Sequence, residues 1–268
     1  MPENECAQLN RGGETVQRER YRLIEHLLCA VARGSLAAGL PWTRLEREAI
    51  VRAARSRAGL TDAGDERFLD GLDRIVSEAR GRYTPLGTAL LRNLLVQALE
   101  NRLRAVDYLK RHPEALEIPI RHPIIVLGFP RSGTTLLQTL LASSADRTPL
   151  EFWELFSATP RNEVDAEADR AMRIRRLGRI LSVANRLVPE LNSIHESGPT
   201  TPEEDWQLLV PCFHALTFEL AYGLEGYGQW LESGADMAWA YGEFKRQLQV
   251  ILHQRPRSQL VLKCPDHL

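Results

Sequence analysis

A chain of 268 residues with 44% hydrophobic content has the material for one large domain, or for a domain with an appendage. Its formal net charge is −1, with 34 Lys and Arg interspersed among 35 Asp and Glu, which excludes the basic stripe of a nucleic-acid or membrane-surface binder. The cysteines Cys6, Cys29, Cys212 and Cys264 lie far apart with no CxxC spacing, the start (MPENECAQLNRGG) is polar and no apolar run reaches membrane length; the expected setting is cytoplasmic, without disulfides, a cysteine metal site or a membrane partner.

In chain order, residues 1–17 are expected to be disordered. From Arg18 the pattern turns helical, with Tyr21, Ile24, Leu27, Leu28 and Val31 on one face and Gly34 as a stop. Thr43 followed by Glu46 has capping-box spacing and opens a basic helix that Gly59 ends. Asp62 or Asp65 then caps a helix whose Phe68, Leu72, Ile75 and Ala79 share a face. Thr84, with Pro85 at the first helical position, starts a long helix carrying Leu90, Leu94, Ala98, Leu99, Leu103, Val106 and Leu109, which stops before Pro113. Residues 18–117 therefore read as an all-helical subdomain without evident chemistry, and His26 and His112 as ordinary polar-face histidines.

At Pro123 the character changes. Ile124 to Leu127 form a continuous aliphatic run, as a strand buried on both faces should. Gly128 and Gly133 bracket a turn, and Leu136, Leu137, Leu140 and Leu141 follow at helical spacing. A strand, a glycine loop and a helix N-terminus make an anion site, because unpaired N–H groups and the positive end of the helix dipole converge there. Gly128, Gly133 and Thr135 fit GxxxxG-K-[ST], but Thr134 stands where the lysine that reaches the β- and γ-phosphates belongs. That argues against ordinary ATP or GTP chemistry, while Arg131 offers a planar fork suited to phosphate or sulfonate oxygens.

The stretch GFPRSGTTL resembles the 5′-phosphosulfate loop of sulfotransferases, which use 3′-phosphoadenosine 5′-phosphosulfate (PAPS). GLTDAGD and TPLG, earlier in the chain, are similar to the N-terminal helical region of bacterial members, which implies a helical cover over the acceptor side of the pocket, with a packing or dimerisation appendage as the alternative. The closing stretch SQLVLKCPDHL reads as a second buried strand, Leu260 to Leu262, with Lys263 and His267 at its C-terminal end, where open α/β sheets bind ligands. Its K-x-P-x-H pattern resembles the strand-end lysine of the same family.

Between these motifs, a turn at Asp146 to Pro149 leads to Glu151, Phe152, Trp153, Glu154 and Phe156. Asp165 to Glu190 read as a helix with a solvated basic face. Thr201, Pro202 and Glu204 have the form of a capped start to a buried helix over Glu203 to Tyr222, which Gly223, Gly226 and Gly228 break. A further helix covers about Asp236 to His253, with Trp230 and Trp239 as core residues, and His195 reads as an incidental loop histidine.

The expectation is an α/β P-loop fold, a parallel sheet flanked by helices, occupying residues 118–268. Function by resemblance is sulfonate transfer from PAPS, without a metal, to a small-molecule, carbohydrate or lipid acceptor bearing a hydroxyl or amine, in a chain that can form a homodimer. Lys263 and Arg131 then supply positive charge, while Pro130, Arg131, Ser132, Gly133, Thr134, Thr135 and Leu136 hold the 5′-phosphate. His267, Glu154 or Glu151 acts as base, with His267 ranked first because imidazole titrates near neutral pH. A nucleotide kinase or NTPase, or a non-catalytic helical interaction protein retaining the loop, are the rival readings. Resembling sulfotransferases continue past the lysine with β–α units that hold the donor's 3′-phosphate, so the domain is expected to lack its C-terminal part and the chain alone not to turn over. Val261 is accordingly expected on an unpaired sheet edge.

Overall fold

The computed structural model describes Ala30, Gly34 and residues 44–129, 132–144, 146–161, 165–187 and 197–268. The N-terminal segment expected to be disordered, most of the first helix with His26, the Thr43 cap, Pro130, Arg131 and His195 lie outside the described residues.

Three helices open the described chain: α1 (Arg47–Ala58), α2 (Phe68–Ala79) and α3 (Pro85–Arg111). Gly59 ends α1 in the left-handed region at φ 69°, and Thr84 caps α3 by accepting from the Gly87 N–H at 3.2 Å. Phe68, Leu72, Ile75 and Ala79 are buried on one face of α2, as their spacing requires. Asp62 and Asp65 shape the preceding loop, accepting from the N–H groups of Gly64 and Arg67, and neither caps the helix. On α3 the buried stripe is Leu91, Leu95, Leu99 and Leu103, while Leu90 faces outward.

The sheet has three parallel strands, β1 (Ile124–Val126), β2 (Arg147–Pro149) and β3 (Gln259–Lys263), in the order β1-β3-β2. Val126 pairs with Lys263 and Pro149 with Val261. Two expectations are corrected here. β2 falls where the sequence suggested a turn; it is three residues long and ends in Pro149, which an edge strand tolerates because it has no neighbour waiting for that N–H. β3 is the central strand, so Val261 is fully buried and paired on both sides, and β1 and β2 are the edges. That position also explains why β1 is not buried on both faces: Ile125 is 47% exposed.

After β1 come α4 (Thr134–Leu141), α5 (Phe152–Phe156) and α6 (Ala166–Leu187). The basic face of α6 is not wholly solvated, since Arg173 is buried, pairs with Asp169 and donates to the Ser157 carbonyl at 2.7 Å. The single helix expected over 203–222 is instead two short 3-10 turns, Asp205–Leu208 and Val210–Cys212, followed by α7 (Thr217–Tyr222). Pro211 cannot donate to a helical ladder, and Phe213 sits at φ 56°, outside helical space. Thr201 bonds within its own turn, to Gly198 at 2.8 Å. Gly226 and Gly228 do not break helix α8 (Glu225–Ser233) but lie in its first turn, where the Glu78 carboxylate of α2 accepts from the N–H groups of Gly226 and Tyr227. The helix α9 (Met237–Gln254), capped by Asp236, carries buried Trp239, Phe244, Leu248, Ile251 and Leu252. One apolar cluster joins α1–α3, α8, α9 and the strand residues Leu260 and Leu262, so the helical half and the sheet share a core. No described helix is long and apolar enough to cross a membrane.

Candidate active site

The loop after β1 turns tightly. The Ser132 N–H and hydroxyl both donate to the Phe129 carbonyl, at 3.3 and 2.6 Å, and Gly133 at φ 88° takes a conformation L side chains rarely adopt. A Cβ added to Gly128 would stand 2.7 Å from Thr134 Cγ2 and 2.9 Å from Ser132 Oγ, so a larger residue there would displace these two side chains of the loop. The first intrahelical bond of α4 runs from the Leu137 N–H to the Gly133 carbonyl at 3.1 Å. The N–H groups of Thr134, Thr135 and Leu136 consequently have no intrahelical acceptor, and they converge with the positive end of the helix dipole.

Lys263, the last residue of β3, reaches this helix start. Its side chain is buried, its ammonium donates to Thr135 Oγ1 at 3.1 Å, and it pairs with Glu204 Oε1 at 2.8 Å. The parallel pairing of β3 with β1 puts the two strand ends side by side, which brings together residues 128 positions apart in sequence. Sequence reasoning assigned Glu204 to a helix cap; no such helix forms, and its carboxylate faces the lysine instead.

Asp205, fully buried, organises the rest. Oδ2 accepts the Lys263 N–H at 2.9 Å, and Oδ1 accepts from His267 Nε2 at 2.7 Å. On the other side of the imidazole, Nδ1 meets the Tyr241 hydroxyl at 2.9 Å. With a carboxylate accepting at Nε2, that nitrogen holds its hydrogen, and both ring nitrogens are engaged. Burial pushes the Tyr241 hydroxyl up to about 12. It also raises the Cys264 thiol, assisted by Asp266 and Asp205, and raises the Asp266 carboxyl, whose Oδ2 accepts the Leu216 N–H at 2.7 Å. Asp205, Tyr241 and Asp266 were missed in the sequence; the run of three acids Glu203 to Asp205 beside an apolar stretch was the available signal.

Glu151 and Glu154 occupy a separate cluster. They form a reciprocal capping box at the start of α5, where the Glu151 N–H donates to Glu154 Oε2 at 2.9 Å. Glu154 is buried between Arg255, at 3.0 Å, and Arg257, and Glu151 accepts from the Trp153 indole. The structure thus unites Ser132, Gly133, Thr134, Thr135 and Leu136 of the loop with Lys263, ties His267 to Asp205, and leaves both α5 glutamates bonded elsewhere.

A sequence model described as "Sulfotransferase family" matches residues 123–268. Among solved structures, the chain is similar to sulfotransferase STF1 from Mycobacterium tuberculosis H37Rv, with TM-score 0.71 and 27% identity over 83% of this chain and 61% of that one. It is also similar to sulfotransferase STF9 from Mycobacterium avium, with TM-score 0.69 and 29% identity over 84% of this chain and 58% of that one. The chain therefore spans about three fifths of the length of either structure. Comparison with curated proteins finds no match.

Proposed function

The chain belongs to the sulfotransferase family, and on that premise we propose that it serves the transfer of a sulfonate group from PAPS to a hydroxyl or amine acceptor. The observation that carries the reading is the buried Lys263 ammonium 3.1 Å from Thr135 Oγ1, a strand-end cation placed at the start of the loop helix. The close packing of Ser132 and Thr134 over Gly128, the helix-start N–H groups without an intrahelical acceptor and this lysine together suit a 5′-phosphate bearing a charged group beyond it. When bound, the donor supplies an activated sulfonate.

Within that reading, the loop N–H groups and the hydroxyls of Ser132, Thr134 and Thr135 hold the phosphate, assisted by Pro130 and Arg131. Lys263 balances the negative charge that develops on the departing phosphate. In the free protein Glu204 neutralises this lysine; a donor phosphate taking over the ammonium leaves the Glu204 carboxylate free beside the reacting centre. Glu204 is therefore the better placed proton acceptor than His267, whose nitrogens are both engaged, or than Glu151 and Glu154, which are held in the α5 cap and its arginine pairs. His267 and Asp205 position the lysine strand end, since Asp205 bonds both the Lys263 N–H and the imidazole.

The test, in a context that supports turnover, is transfer of labelled sulfonate from PAPS to a panel of alcohols and amines. Lys263→Met is expected to lower kcat on the order of 10²–10³-fold, as removal of one preorganised transition-state donor does. Glu204→Gln is expected to abolish the acid limb of the pH–rate profile, while His267→Gln keeps it. If His267→Gln removes the limb and Glu204→Gln does not, the base is the histidine.

A further inference from the structure

Two histidines and a carboxylate meet where the end of α3 passes the end of α9. His112 follows the last residue of α3, Glu114 lies in the 3-10 turn Pro113–Glu117, and His253 is in the last turn of α9. Glu114 Oε1 is 3.3 Å from His112 Nδ1 and 3.6 Å from His253 Nε2, and one ligand atom from each residue lies within 4.8 Å of the other two. Around a tetrahedral ion with bonds of about 2.0–2.2 Å, neighbouring ligand atoms sit about 3.3–3.6 Å apart. Both separations to Glu114 fall in that interval.

The supporting contacts are those a metal-binding imidazole needs. Tyr108, one turn earlier on α3, places its hydroxyl 2.8 Å from His253 Nδ1, which fixes the ring so that Nε2 faces Glu114. The His112 ring packs on Tyr108 with centroids 4.5 Å apart. Gln249 of α9 donates to the carbonyls of Leu116 and Ile118, at 2.6 and 3.2 Å, and so pins the turn that carries Glu114 against the helix that carries His253. Both histidines are half-buried, and Tyr108 and His112 also line a neighbouring cavity of about 460 Å³.

We propose that His112, Glu114 and His253 bind one divalent transition-metal cation of the zinc type, outside the transfer site, and that the ion clamps the end of α3 to α9. Two imidazoles with one carboxylate suit borderline ions, whereas calcium and magnesium take oxygen ligands. Among the described residues one other group of comparable spacing exists, Asp205, Cys264 and His267, and it belongs to the site already described. Its thiol makes the two distinguishable.

The experiment titrates the tag-free chain with zinc chloride by calorimetry and with cobalt(II) followed by absorption. The expected result is one equivalent bound, a cobalt spectrum without a sulfur-to-metal charge-transfer band, and a zinc-dependent rise in Tm. His112→Ala and His253→Gln should each abolish that rise while retaining the parent's circular dichroism, and Tyr108→Phe should weaken binding about 10–100-fold. Absence of stoichiometric binding, a thiolate band, or variants that bind as the parent does would each overturn the assignment.

Discussion

Lys263 has almost no solvent of its own, and its position depends on acids that compensate a buried cation. Asp205 bonds both the lysine backbone and His267, so Asp205→Leu strands two buried donors; we expect a loss of about 3 kcal/mol, read by denaturant unfolding. Asp266 behaves oppositely. Burial raises its carboxyl above the ordinary 3.8, so the folded state favours the proton. Stability from that proton is fully present below 3.8 and is lost as pH rises through the folded value. Asp266→Asn keeps an oxygen for the Leu216 N–H without the ionisation, so its Tm relative to the parent should climb as pH is raised across this range. A difference in Tm independent of pH would contradict this. The loop was legible in the sequence because nine consecutive residues carry its motif, and Lys263 because it ends an apolar run in the K-x-P-x-H pattern. Glu204 and Asp205 were not, because their meaning lies in contacts with residues 59 and 58 positions away.

Among the elements, α2 shows how packing overrides propensity. Gly71 is buried in mid-helix, where alanine would ordinarily gain about 1 kcal/mol. A Cβ at that position would stand 2.2 Å from the Phe213 carbonyl oxygen, backbone that cannot swing aside. Gly71→Ala should therefore destabilise, by about 1–3 kcal/mol in chemical denaturation, despite the better helix former. Phe213 itself, at φ 56°, marks the place where sequence reasoning failed most plainly. Apolar residues over 203–222 recur at helical spacing, yet Pro211 interrupts the ladder and the segment folds into turns around the α2 glycine. The local cap at Thr84 was read correctly, those expected at Asp62 or Asp65 and at Thr201 do not form, and the Glu78 contact that closes the start of α8 comes from afar and was missed. The His112–Glu114–His253 group belongs to the same class, since α3 and α9 meet only in the folded chain.

At the scale of the molecule, the sheet has a paired centre, one edge at β2 and the other at β1. On and beside that edge Phe129, Leu136 and Leu140 are 75%, 65% and 61% exposed, together with Ile125, Leu127 and Leu137. An apolar face next to an unpaired strand favours association, and we expect sedimentation velocity to show concentration-dependent self-association. Leu136→Lys with Leu140→Lys should shift the chain toward monomer; a parent that remains monomeric throughout would remove the expectation. The parallel α/β architecture was legible from two apolar runs and a glycine loop, but strand order was not, because three-residue strands carry no register signal of their own. The account rests on the loop and Lys263 forming one anion site, and calorimetric titration with adenosine 3′,5′-bisphosphate tests that most directly. The account predicts saturable binding that Gly133→Val abolishes and that Lys263→Met weakens by roughly 1.5–3 kcal/mol, the worth of a charge-assisted contact. No heat with the bisphosphate, or magnesium-dependent binding of ATP at least as tight, would contradict it.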